Sequence, residues 1–161
     1  LAKILIIDDN EPNCFLAAAI VERYGAQALQ AADAATGIAM ALREFPDLIL
    51  LDLFLPDVDG FEVLRLLKED EATRAIPVVC LTASTVAAHE MTMRAGGCVG
   101  YLTKPYLPAD LVMAIERHVP RPAALTAAAA AGSVAALAGP AGLVDPVAAD
   151  FDSKSPGRKT P

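Results

Sequence analysis

The chain has 161 residues, 55% hydrophobic and 20% charged, which suits one domain with an appendage and a substantial core. The formal net charge is −7; residues 120–161, with Arg121, Lys154, Arg158 and Lys159 against Asp145, Asp150 and Asp152, carry +1, which leaves −8 on residues 1–119. An acidic domain without a basic stripe argues against direct nucleic-acid binding, and charges or prolines interrupt every long apolar run, so neither nucleic acid nor membrane is an expected partner.

Apolar runs alternate with segments of helical period, the sign of repeated βα units and an α/β fold with a parallel sheet. Leu1-Ala2-Lys3 runs straight into a strand over 3–8, leaves no room for a signal peptide, and gives the expectation of a cytoplasmic protein. Pro12 suits the first turn of a helix to about Tyr24, with Gly25 as its stop and Phe15, Leu16, Ala19 and Ile20 as its expected core-facing stripe. A strand over 26–31 precedes a helix from Ala34 to Glu44, which ends before Pro46. A strand over 48–52 leads to a helix from Gly60 or Phe61 to Glu69, with Val63, Leu64 and Leu67 inward. A strand over 77–82, a helix from Ser84 to Ala95 stopped at Gly96-Gly97, a strand over 99–103 and a helix from Asp110 to His118 complete the domain. Cys14, Cys80 and Cys98 lack metal-ligand spacing and read as reduced core or near-surface thiols.

The expected domain is thus 1–119, and 120–161 reads as an Ala/Pro-rich flexible tail. Thirteen alanines, six prolines and four glycines fall in that tail, with Phe151 its only aromatic. Gly132 and Ser133 interrupt the one stretch whose propensity is helical, so a weakly helical partner-binding arm is the alternative.

The chemistry concentrates where apolar runs end. Asp8 and Asp9 follow Ile4 to Ile7, Asp52 follows Leu48 to Leu51, Thr82 follows Val78 to Leu81, and Lys104 precedes Pro105. In a parallel sheet these positions share one edge, and ligands bind in the crevice beyond it. Three carboxylates there repel one another unless a cation sits among them, and Mg²⁺ is the natural occupant because it takes carboxylate and carbonyl oxygens and keeps places for phosphoryl oxygens. Asp52 is the best nucleophile, since a carboxylate can attack phosphorus without prior deprotonation. Lys104 offers a point charge and Thr82 a hydroxyl to phosphoryl oxygens.

This constellation, with Asp52-Leu53-Phe54-Leu55-Pro56-Asp57-Val58-Asp59-Gly60, Asp8-Asp9-Asn10-Glu11-Pro12-Asn13 and Lys104-Pro105, resembles the receiver domain of bacterial two-component response regulators, over residues 3–118. The resemblance implies a doubly wound sheet of flavodoxin-like order 2-1-3-4-5 with helices on both faces. It makes Asp52 the phosphoacceptor, and Asp9 and Asp52 direct Mg²⁺ ligands. Asp8 becomes a ligand largely through water, the Phe54 carbonyl a third protein ligand, and Gly60 a tight-turn glycine. It further implies a cis Lys104–Pro105 peptide that aims the lysine inward, and a Thr82–Tyr101 switch; from its residue type alone, Tyr101 reads equally well as a half-buried edge tyrosine. The implied partners are a sensor histidine kinase or histidine phosphotransferase, and a downstream protein on the face of the fourth helix, fifth strand and fifth helix, around Val86 to Arg94, Tyr101 and Tyr106. The expected role is a phosphoacceptor signalling domain, stand-alone or a fragment of a larger regulator or hybrid kinase, and not a turnover enzyme.

Three rivals fare worse. A phosphatase of the haloacid dehalogenase type wants a second aspartate two residues after the nucleophile, where this chain has Phe54. A flavodoxin-like cofactor binder needs a phosphate loop after the first strand, and Asp8 and Asp9 would repel that phosphate. The complete set of Asp8, Asp9, Asp52, Thr82 and Lys104 argues against a pseudo-receiver that serves only as a scaffold.

Overall fold

A computed structural model describes residues 1–83 and 87–123, with backbone alone for 87–89. The parts of the expected fourth helix at 84–86 and of the expected tail from 124 onward lie outside the described residues. Five strands, β1 (Lys3–Ile7), β2 (Gln27–Ala31), β3 (Leu48–Asp52), β4 (Val78–Thr82) and β5 (Gly100–Thr103), alternate with five helices. These are α1 (Glu11–Tyr24), α2 (Ala34–Glu44), α3 (Gly60–Glu69), α4 (Ala87–Ala95) and α5 (Pro108–Glu116). All pairings are parallel, in the order β2-β1-β3-β4-β5. That is the doubly wound 2-1-3-4-5 sheet expected from the sequence.

The central strands β3 and β4 are buried along their whole length, because helices cover both faces of the sheet; this is why they read as unbroken apolar runs. One face packs α1 and α5 through Ala17, Val21, Tyr24, Leu111 and Ile115 against Ile4, Ile6, Leu50 and Leu81. The other packs α2, α3 and α4 through Ala41, Val63, Leu64, Leu67 and Met93 against Leu5, Ile7, Leu51 and Cys80. The inward set expected of α3, Val63, Leu64 and Leu67, is buried. All three cysteines are buried free thiols.

Helix α1 corrects the sequence reading. Phe15 is 72% and Leu16 49% exposed, and Ala19 is exposed too. Only Ile20 of the expected stripe is buried; the inward positions are Cys14, Ala17, Ala18, Val21 and Tyr24, at i, i+3, i+4, i+7 and i+10. Small alanines let the helix lie close to the sheet, while the long apolar Phe15 and Leu16 face solvent. Helix α1 starts at Glu11, one residue before Pro12, because the Asn10 side chain accepts from the Asn13 N–H at 3.0 Å. It ends on Gly25 at φ 99°, a left-handed cap.

Helix α5 spans 108–116 rather than 110–118. Pro108 occupies its first turn, and the Asp110 carboxylate reaches back to accept from the Leu107 N–H at 2.9 Å, which fixes the earlier start. The domain closes where the Tyr24 hydroxyl of α1 donates to the Val119 carbonyl at 2.6 Å.

Gly60 has a different role from the turn glycine expected. Its φ is not in the left-handed region; instead it opens α3 where a Cβ would lie 2.3 Å from the Leu53 Cα and 2.8 Å from the Asp52 carbonyl oxygen. Only a residue without a side chain lets α3 begin this close to the end of β3.

Candidate functional site

The carboxyl ends of β1, β3, β4 and β5 bring the expected groups to one edge. Asp8 follows the last residue of β1, and its N–H continues the ladder by donating to the Ala31 carbonyl at 3.1 Å. Its Oδ1 accepts from the Asn10 N–H at 2.9 Å, an Asx turn that directs the other oxygen into the crevice. Asp52 closes β3 and is held in the same way, Oδ1 accepting from the Phe54 N–H at 2.9 Å. Both acids are nearly buried, at 2% and 5% exposure, whereas Asp9 is exposed. One carboxylate oxygen from each of Asp8, Asp9 and Asp52 lies within 4.8 Å of the others, an arrangement able to hold a metal ion.

Lys104 stands across this cluster. Its ammonium donates to Asp8 Oδ2 at 2.9 Å and to Asp52 Oδ2 at 3.0 Å. Its backbone N–H donates to the Thr82 carbonyl at 2.7 Å, and the Lys104–Pro105 peptide is cis. Thr82 is fully buried at the end of β4, in register with Thr103 of β5.

Burial is the largest influence on Asp52 and pushes its carboxyl above the ordinary range; the Asp8 charge pushes the same way, against the opposing pull of the Phe54 N–H and Lys104. Burial alone would lower the Lys104 ammonium, but the hydrogen bonds and charges of Asp8 and Asp52 outweigh it and hold the group above the usual lysine value. With three acids and one base, the site keeps a surplus of negative charge, and a bound cation would relieve it.

Beside the cluster lies a groove of about 500 Å³ lined by Asp9, Phe54, Leu55, Pro56, Asp59 and Phe61. Phe54 is 56% exposed on its wall. Tyr101 is half-buried and packs with the face that carries α2, α3 and α4, while Tyr106 packs with the α1 and α5 face. The two tyrosines grouped by the sequence reading therefore lie against opposite layers of the core. Of the expected partner face, Val86 lies outside the described residues and 87–89 are described by backbone alone.

One contact was missed altogether. Asp57, in the loop between β3 and α3, accepts from the Ala34 N–H at 3.0 and 3.2 Å and from the Ala35 N–H at 3.4 Å, at the start of α2. Nothing in the local spacing around Asp57 points to a partner 23 residues earlier.

The fold and this acidic edge define a receiver, and comparison with known proteins agrees. Residues 4–116 match the family model described as the response regulator receiver domain, and the chain belongs to that family. It is 38% identical over 117 residues to the polar-differentiation response regulator DivK of Brucella ovis, covering 73% of this chain and 95% of that one. It is 36% identical over 105 residues to protein PilH of Pseudomonas aeruginosa, covering 65% and 87% respectively. Among solved structures, the chemotaxis response regulator CheY4 of Vibrio cholerae superposes with a TM-score of 0.70 at 26% identity, covering 74% of this chain and 99% of that one. The receiver domain of sensor histidine kinase PA1611 from Pseudomonas aeruginosa, solved with a magnesium ion coordinated in its active-site cleft, superposes at 0.67 with 29% identity, covering 73% and 96%. Among the described residues, no helix is long and apolar enough to cross a membrane.

Proposed function

We propose that residues 1–119 accept a phosphoryl group on Asp52 from a phosphohistidine of a sensor kinase or histidine phosphotransferase, and so switch a protein-binding face. The observation that carries this reading is the convergence of Asp8, Asp9 and Asp52 with the Lys104 ammonium at 2.9 and 3.0 Å. Such a site joins a nucleophilic carboxylate to a place for a divalent cation and a point charge for phosphoryl oxygens.

Asp9, Asp52 and the Phe54 carbonyl would hold Mg²⁺, with Asp8 acting through water. The donor set fits: hard oxygen ligands, a surplus of negative charge, and one exposed acid through which a hydrated ion can enter. Bound there, Mg²⁺ would neutralise the acids and draw charge from the phosphoryl oxygens. An Asp52 oxygen then forms the new bond to phosphorus while the bond from phosphorus to the donor imidazole nitrogen breaks, and that nitrogen keeps the electron pair. Lys104 turns from Asp52 to the incoming phosphoryl group. Phe54 places no base two residues from Asp52, so water attack on the aspartyl phosphate is unassisted there and the modified state persists, as a signal requires.

The product carries about two negative charges where the carboxylate carried one. Thr82 ends β4 and Lys104 directly follows the adjacent strand β5, on which Tyr101 lies two residues before Thr103, the register partner of Thr82. Motion of the Thr82 hydroxyl toward phosphate opens space for that ring and shifts the population of the face formed by α4, β5 and α5.

The test is intact-mass measurement after incubation with Mg²⁺ and acetyl phosphate. One phosphoryl group on the wild type and none on Asp52→Asn is expected; equal uptake by both proteins overturns the assignment.

A further inference from the structure

We propose that Asp57 is a positioning residue for the cation, acting by anchoring to α2 the loop that carries the Phe54 carbonyl. The inference rests on the reading of the acidic cluster as an Mg²⁺ site.

The loop from Leu53 to Asp59 is closed at its base. The Phe54 N–H donates to Asp52 Oδ1, the Gly60 N–H donates to the Leu53 carbonyl at 3.0 Å, and Phe54 faces Asp59 in a single antiparallel bridge. The base contacts fix where the loop starts and ends but leave its tip, Leu55 to Val58, to be placed by something else.

Asp57 supplies that placement. Both of its oxygens accept from the Ala34 N–H, and Oδ2 also faces the Ala35 N–H. These are first-turn donors of α2, which the helix itself cannot satisfy. The helix's own cap, Asp33, takes the Thr36 N–H at 2.7 Å and leaves Ala34 and Ala35 for Asp57. Two aspartates from distant parts of the chain thus divide one helix end. A carboxylate on helix N–H groups gains from charge and dipole together, and α2 is itself packed on the sheet through Ala34 and Ala41. The loop that carries Phe54 is therefore strung between β3 and α2, and a metal ligand held on both sides is pre-organised for the ion.

Groups that orient metal ligands typically matter by 10- to 100-fold in affinity, and an exposed anchor belongs at the low end. Mg²⁺ titration of the full chain, followed by amide NMR shifts, should therefore show about tenfold weaker binding for Asp57→Ala and a smaller loss for Asp57→Asn, which keeps one acceptor oxygen. Asp33→Ala is the control. It removes one negative charge and one cap from the same helix end without touching the loop, so it should lower the melting temperature and leave Mg²⁺ affinity as in the wild type. Wild-type affinity in Asp57→Ala, or an equal loss in Asp33→Ala, overturns the positioning role while leaving the cation site standing. An absence of saturable Mg²⁺ binding in the wild type, or unchanged binding in Asp9→Ala, overturns the site reading and the positioning role together.

Discussion

Lys104 Nζ lies 3.0 Å from Asp52 Oδ2, and the lysine side chain retains only 19% of its exposure. The same ammonium is 2.9 Å from Asp8, so one cation compensates two nearly buried acids. Removing one partner of a buried pair leaves uncompensated charge, at a typical cost of about 3–5 kcal/mol. Lys104→Ala should therefore lower the melting temperature of the metal-free protein by several degrees, and Mg²⁺ should restore a larger share of stability than it adds to the wild type. Thermal melts with and without Mg²⁺ check this; a variant as stable as wild type without metal would show that the pair is already balanced by solvent.

Asp52 should behave in the opposite sense. Burial and the neighbouring Asp8 disfavour its charge, so Asp52→Asn should raise the melting temperature of the metal-free protein at neutral pH and lose most of the Mg²⁺ response. A variant less stable than wild type without metal would place the Lys104 attraction above the burial penalty.

Gly60→Ala tests the junction between β3 and α3. The added carbon would meet backbone, which cannot move aside like a side-chain end, and overpacking of this kind costs about 1–3 kcal/mol or more. Denaturant unfolding should show that loss, along with slower phosphorylation, because the atoms struck belong to Asp52 and Leu53. Unchanged stability would mean that α3 can slide outward without cost.

Acid unfolding tests the Asp57 anchor independently of metal. The Ala34 N–H holds the Asp57 carboxyl below the ordinary aspartate range, against a smaller opposing effect of burial. A carboxyl depressed on folding contributes stability in full above its unfolded value, about 3.9, and loses that contribution as pH falls through the lower folded value. Asp57→Asn should thus be less stable than wild type at pH 7, and the two stability curves should converge on acidification. Curves that stay parallel down to low pH would show no linkage through Asp57.

Strands β1, β3 and β4 were legible because strands buried on both faces read as apolar runs, and the expected bounds of β3 and α2 coincide with those observed. The acidic edge was legible for the same reason, since Asp8, Asp52 and Thr82 stop those runs where the strands end. The inner face of α1 was not. Phe15 and Leu16 outweigh Ala17 and Ala18 in hydrophobicity, yet close helix-to-sheet packing selects the small pair. The expected start of α5 at Asp110 lies two residues late, because Pro108 fits the first turn and Asp110 acts from inside the helix on the Leu107 N–H. Asp57 was illegible because its partners come from another βα unit, and local sequence carries no sign of such a contact.

The central claim is that Asp52 becomes an acyl phosphate. After incubation with Mg²⁺ and acetyl phosphate, borohydride reduction and peptide mapping should convert one residue, with homoserine found at position 52 and every other aspartate intact. Reduction at Asp8 or Asp9 instead, or phosphate recovered on a serine, threonine or histidine with none at position 52, would contradict the account.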